Sequence, residues 1–179
     1  MRIIGGEAGG RRLRSPDGLT TRPMTDRTRE AIFNILAWDI GDADVLDLYA
    51  GAGGMGLEAL SRNAASAAFV ELDRSTAAVL QENIGLVGLG GNLVVSDVER
   101  YLGRAAETFD IVFVDPPYPL ALDEVSSVLH KIAPVLRDNG LVLLHRHKGE
   151  EVPEAPWPLV DERRYGAAQL WFFRSGGQA

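Results

Sequence analysis

No cysteine occurs among the 179 residues. That removes both a disulfide framework and a thiolate metal site, and it suits a reducing cytoplasm. Histidine is scarce: His130, His145 and His147 are too few and too scattered for a zinc centre, so no metal is expected. His145 and His147 alternate as strand neighbours do and read as solvated or core residues rather than as a ligand pair. No apolar run reaches the roughly 18 residues a membrane helix needs. The opening MRIIGGEAGG has no signal-peptide core, so neither a membrane nor export is expected. Lysine is also nearly absent: of 18 basic residues only Lys131 and Lys148 are lysines. Arginine, which grips phosphate bidentately and stacks on bases, supplies the rest.

What is present is 46% hydrophobic, enough for one compact core with at most a small appendage. The formal charge of -7 is unevenly placed. Residues 1–30 hold Arg2, Arg11, Arg12, Arg14, Arg22, Arg27 and Arg29 against Glu7, Asp17, Asp26 and Glu30, a net of +3, and the remainder carries -10. A basic N-terminal patch on an acidic body fits contact with a polyanion, and it equally fits a solvated, arginine-biased surface.

From about residue 43 onward short apolar runs alternate with helix-like stretches. DVLDLYA, SAAFVEL, NLVVSD, FDIVFVD and GLVLLHR read as strands. GLEALSRNA, STAAVLQENIGLVGL with Ser75 as N-cap and a stop near Gly88 and Gly90, and a stretch over residues 121–137 read as helices. LVDERRY and AQLWFFR then form a closing antiparallel pair turning at Gly166. The alternation predicts an α/β fold of Rossmann-like type, a mostly parallel sheet with helices on both faces and right-handed crossovers. Residues 1–40 read as an extension to a domain spanning 41–179. In it RIIGG and RRLRSP form a hairpin, and TDRTREAIFNILAW is a helix capped by Thr25 or Asp26.

LDLYAGAGGMG places Gly51, Gly53 and Gly56 in a complete G-x-G-x-x-G between a strand and a helix. Glycine there allows a sharp turn and close approach of a ligand. Glu71 follows 20 residues after Gly51, at the end of the next strand, where a carboxylate accepts from ribose hydroxyls. NAD and S-adenosylmethionine both satisfy these two features. Asp47 favours the second, because a carboxylate inside the first strand can face the positively charged end of S-adenosylmethionine. A nicotinamide enzyme also usually needs a substrate domain, for which this chain has no segment. Asp97, ending the third strand, can accept from an adenine amino group or cap the following helix.

The fourth strand runs into Asp115, Pro116, Pro117 and Tyr118, at the same sheet edge as the glycine loop. An amino group conjugated to a base or amide is a poor nucleophile, since its lone pair is delocalised. Methylating one requires two acceptors that hold its N–H bonds and aim the lone pair at the donor. The Asp115 carboxylate and the Pro116 carbonyl can be those acceptors, and proline fixes the backbone without a competing N–H. Tyr118 can stack on a flipped-out or loop base.

DLYAGAGGMGLEALSRNAA, FVELD and DPPY resemble the bacterial methyltransferases that modify the N2 amino group of one guanine in 16S ribosomal RNA. RIIGGEAGGRRL, RPMTDRTREAIFNIL and RRYGAAQLWFFR are similar to the same family, so the likeness spans nearly the whole chain. The resemblance implies a seven-stranded methyltransferase sheet with an antiparallel last strand, S-adenosylmethionine as cofactor, and the small ribosomal subunit or its assembly intermediate as partner of a cytoplasmic monomer. It implies that Asp47, Tyr49, Ala50, Gly51, Gly53, Glu71, Leu72, Asp97 and Val98 hold the cofactor. Asp115, Pro116, Pro117 and Tyr118 would hold the guanine, and Arg2, Arg11, Arg12, Arg14, Arg22 and Arg27 would meet RNA phosphates. Three places depart from the family pattern: Met24 stands where threonine is usual, Ala167-Ala168 where Asp-Thr is usual, and His145 where a glutamate is expected. Asp-Pro-Pro-Tyr alone also suits an adenine N6 methyltransferase, although no segment is left for a target-recognition region. A non-catalytic RNA-binding assembly factor would not need both the glycine loop and the Asp-Pro-Pro-Tyr stretch.

Overall fold

A computed structural model describes residues 1–16 and 24–176. Seven strands form one sheet: β1 (Asp44–Leu48), β2 (Ser66–Glu71), β3 (Asn92–Val95), β4 (Phe109–Val114), β5 (Leu136–His147), β6 (Leu159–Tyr165) and β7 (Ala168–Arg174). Their order is β3-β2-β1-β4-β5-β7-β6, with β7 antiparallel to both its neighbours and every other pairing parallel. Among the described residues five α-helices complete it: α1 (Asp26–Ile35), α2 (Gly54–Ser61), α3 (Arg74–Val87), α4 (Val98–Leu102) and α5 (Leu122–Ile132).

The central strands are apolar on both sides because both sides are covered. Val45, Phe69, Ile111, Phe113, Leu141 and Leu143 pack with α1, α2 and α3. Their alternates Leu46, Val70, Val112, Val114, Val142 and Leu144 pack with α4 and α5. This two-residue alternation decides where polar side chains at the strand ends point. Asp47 and His145 share the parity of the α1–α3 face, and Asp115 continues that of Ile111 and Phe113 beyond β4.

The helix ends follow local chemistry. Thr25 caps α1 by accepting from the Thr28 N–H. The α3 cap is Asp73, not Ser75: its carboxylate takes the Thr76 N–H at 2.8 Å and the Ser75 hydroxyl at 2.5 Å, so the helix starts earlier than expected. Gly88, in the left-handed conformation, ends α3. Gly56 lies so close to β2 that a Cβ would come within 2.3 Å of the Phe69 ring.

The expected N-terminal hairpin forms as a short one: an antiparallel bridge joins Arg2 and Arg12, with Ile3 N–H donating to the Arg11 carbonyl (2.9 Å), Leu13 N–H to the Met1 carbonyl (3.0 Å) and Gly10 N–H to the Ile3 carbonyl (2.9 Å). Polar groups on α2 and α3 bind this stretch as well. The buried Glu58 carboxylate accepts from the Ile4 and Gly5 N–H groups at 2.6 and 2.9 Å, and Ser61 bonds Ala8 and Gly5. Asn83 accepts from the Arg14 N–H and donates to the Arg14 carbonyl. Ile3, Ala8, Leu13, Ile32 and Phe33 enter the same core as the sheet. Residues 1–16 are therefore a strap packed over α2 and α3.

Candidate active site

The strand order reverses between β1 and β4, and the carboxyl ends on either side of such a switch open a crevice. A cleft of about 1030 Å³ lies there, lined from the β1 loop by Asp47, Tyr49, Ala50 and Gly51. Glu71, Leu72, Asp97 and Val98 line it from β2 and β3, and Asp115, Pro116, Pro117, Tyr118 and His145 from β4 and β5. Its volume sits at the upper end of roughly 300–1,000 Å³ for ligand pockets, so a cofactor and a target base fit together.

Of the expected cofactor residues only Gly53 stays out of the wall. Its φ of 86° makes it the left-handed cap of α2, and a Cβ there would strike Leu80 at 2.4 Å. Its role is to let the loop turn. Tyr49 also has a positive φ, 58°, a strained conformation of the kind that marks functional loops. Burial pushes its hydroxyl pKa up to about 12, so the phenol stays neutral.

Asp47 is buried and accepts from the Gly56 N–H at 2.9 Å. Burial raises its pKa well above the ordinary carboxylate range, Gly56 opposes the rise, and Asp115 and Glu71 add to it. A cationic ligand group beside it would restore the ionised form. Glu71 braces the loop from across the cleft, taking the Gly51 N–H with one oxygen and the Asp73 N–H with the other, both at 2.9 Å. Asp97 is the N-cap of α4, accepting from the Arg100 N–H, while still facing the cleft beside the exposed Leu72. Acidic groups flanking an apolar shelf fit a nucleoside attached to a cationic centre, the chemistry of S-adenosylmethionine.

On the other wall, Asp115 Oδ1 accepts one hydrogen bond, from Nδ1 of the buried His145 at 2.7 Å. Among the described residues its second oxygen makes no hydrogen bond. Arg146, on the opposite face of β5, holds the loop from behind, donating to the carbonyls of Pro117 (3.2 Å), Tyr118 (3.4 Å) and Leu120 (2.8 Å). Glu150 accepts from its Nε at 2.7 Å. The Pro116 carbonyl has no partner among the described residues. Tyr118 is 40% exposed and meets His147 and His145 edge-on, with ring centroids 5.6 and 6.4 Å apart. Burial, then Asp115, raises the Tyr118 pKa, keeping the ring neutral for stacking.

Sequence reasoning assigns no site role to His145 or Arg146, although an arginine two residues beyond the apolar run Leu141–Leu144 in β5 is itself a signal of internal use. The arginines divide. Arg2 pairs with Asp26, Arg14 with Glu82, and Arg11 donates to the carbonyls of Leu86 and Val87 at the end of α3, so all three fasten the strap. Arg12 and Arg27 are exposed with no side-chain partner among the described residues. Arg22 lies outside the described residues.

This sheet order and this cleft define a Rossmann-like S-adenosylmethionine-dependent methyltransferase. A family model described as Conserved hypothetical protein 95 matches residues 1–174, and the chain belongs to that family, which includes ribosomal RNA small subunit methyltransferase D. The relative of that name from Escherichia coli strain K12 is 40% identical over 99% of this chain and 91% of its own. The putative rRNA methyltransferase YlbH of Bacillus subtilis is 33% identical over 99% of this chain and 100% of its own. The solved structure of the putative methyltransferase yhhF from Escherichia coli superimposes with a TM-score of 0.86 at 38% identity, covering 99% of both chains.

Proposed function

We propose that this protein methylates the exocyclic N2 amino group of a guanine in 16S ribosomal RNA, using S-adenosylmethionine. The observation that carries the reading is the arrangement of Asp115 and Pro116: the second Asp115 oxygen and the Pro116 carbonyl have no partner among the described residues, in a loop held by His145 and Arg146 and in the same cleft as the glycine loop. Family membership supports ribosomal RNA as the substrate class. Bound S-adenosylmethionine supplies a methyl group on a positively charged sulfur.

The free Asp115 oxygen and the Pro116 carbonyl each accept one N–H of the target amino group, turning its lone pair toward the donor. Tyr118 stacks on the extruded base and fixes its plane. The reaction is chiefly one of positioning, and the proton lost after attack passes to Asp115 or to water. Arg12 and Arg27, with Arg22 of the same stretch, contact RNA phosphates, and the cytoplasmic small ribosomal subunit or its assembly intermediate is the physiological partner of a metal-independent monomer. No helix of the described residues is long and apolar enough to cross a membrane.

The test is transfer from labelled S-adenosylmethionine to small subunits lacking the modification, with naked 16S RNA and DNA in parallel, read by nucleoside mass spectrometry. N2-methylguanine in the subunits is expected. Label in N6-methyladenine instead would establish the adenine reading, and no label in any sample would refute both.

A further inference from the structure

Arg29 lies in the RPMTDRTREAIFNIL stretch, where the sequence assigns it no role, yet it is among the largest fully buried side chains, 1% exposed, and it lines the cleft. It projects from α1 toward the glycine loop: a Cβ on Gly54 would lie 3.0 Å from its Nη1 and 2.9 Å from Met1 Sδ. Nη2 is occupied, donating to the Arg2 carbonyl and to Asp26 at 3.0 Å. Nε is buried with no hydrogen-bond partner, and Nη1 has none among the described residues.

The nearby acids do not complete its pairing. Asp26 is half exposed and shared with Arg2, while Glu58 is occupied by two backbone N–H groups and Arg62. Burial lowers the Arg29 pKa from its ordinary value, although Glu58 and Asp26 oppose the shift. A buried guanidinium with N–H groups left over is costly unless an anion arrives to take them. The start of α2 adds to the demand, since the first N–H groups of a helix attract negative charge.

A planar fork of donors beside Gly54 and the buried Asp47 carboxylate on the Gly56 N–H, both lining the cleft, make a zwitterion receptor. We propose that Arg29 binds the α-carboxylate of the amino-acid portion of S-adenosylmethionine, while Asp47 faces its ammonium group. The assignment rests on the methyltransferase reading. It makes Arg29 the residue that distinguishes the full cofactor from nucleosides lacking the amino acid.

Binding calorimetry on the full chain tests this without turnover. S-adenosylhomocysteine carries the carboxylate, decarboxylated S-adenosylhomocysteine lacks only that group, and 5′-methylthioadenosine lacks the whole amino acid. Wild type should bind the first about 10- to 100-fold more tightly than the decarboxylated form, the range of a charge-assisted hydrogen bond. Arg29→Met should lose that preference while its affinity for methylthioadenosine stays within about twofold. Arg29→Lys, which keeps the charge but not the fork, should keep part of it. Equal affinity of wild type for the carboxylated and decarboxylated ligands overturns the assignment even if a variant fails to fold. So does an equal loss of all three ligands in folded Arg29→Lys. Failure of wild type to bind any of the three overturns the methyltransferase reading as well.

Discussion

His145 offers the sharpest check on how the acceptor side works. Its Nδ1 lies 2.7 Å from Asp115 Oδ1, and the ring is buried between β4 and β7, where it pairs across to Leu170. That contact fixes which Asp115 oxygen faces the cleft. Removing it in His145→Ala frees the carboxylate to rotate and leaves a space behind it. A hydrogen bond to a charged group is worth about 1.5–3 kcal/mol, so losing it from the aligned state should lower kcat by about 10- to 100-fold. Affinity for S-adenosylhomocysteine should change by less than about threefold, because the cofactor wall is built from β1 to β3. His145→Asn, whose amide can sit near the position of Nδ1, should recover most of the loss. The assay is single-turnover methyl transfer to unmodified small subunits, beside calorimetric binding. Turnover of His145→Ala within twofold of wild type would refute the positioning role, and so would a deficit that Asn repairs no better than Leu.

Three more outcomes are expected. Asp115→Ala should keep cofactor binding while methyl transfer falls at least about 100-fold, and near-normal turnover would sink the acceptor mechanism. Asp47 titrates above its ordinary 3.8 in the folded state, so between that value and its folded pKa the native protein holds the extra proton and loses stability as pH rises. Asp47→Asn should therefore gain in Tm over wild type at neutral pH, lose that gain below about pH 4, and bind cofactor more weakly; a Tm difference independent of pH would contradict this. Glu58→Ala leaves two part-buried N–H groups and Arg62 without their buried acceptor and should cost about 3–5 kcal/mol in denaturant unfolding, whereas a cost under about 1 kcal/mol would show that the strap is not anchored there.

The sheet was legible because strands buried on both faces announce themselves as unbroken apolar runs, and the acids that end them stand out. Asp47, Glu71, Asp97 and Asp115 were found that way, and all four line the cleft. The hairpin was legible only in outline: RIIGG and RRLRSP do pair around the Arg2–Arg12 bridge, but their alternation could not show that the side chains of Glu58, Ser61 and Asn83 bind the same stretch. Charge counting could not sort individual arginines for a similar reason. An arginine reads as surface until tertiary contacts are known, yet Arg29 and Arg146 are buried and Arg2, Arg11 and Arg14 are fastened to the protein itself. His145 sits at the parity of Leu141 and Leu143, which marked its face but not its partner, because Asp115 comes from a strand 30 residues away.

The antiparallel β7 has a meaning in time as well as in space. β5, which carries His145 and Arg146, pairs with β4 on one side and with β7 on the other, through His145↔Leu170 and Arg146↔Gln169. A chain emerging from its N-terminus completes β1, β2 and β3, with the glycine loop and the strap over α2 and α3, well before residues 168–174 exist. The residues that line the methyl-donor side are thus synthesised well before those of the seventh strand, and β5, which carries the clamp on the acceptor, gains its second neighbour last.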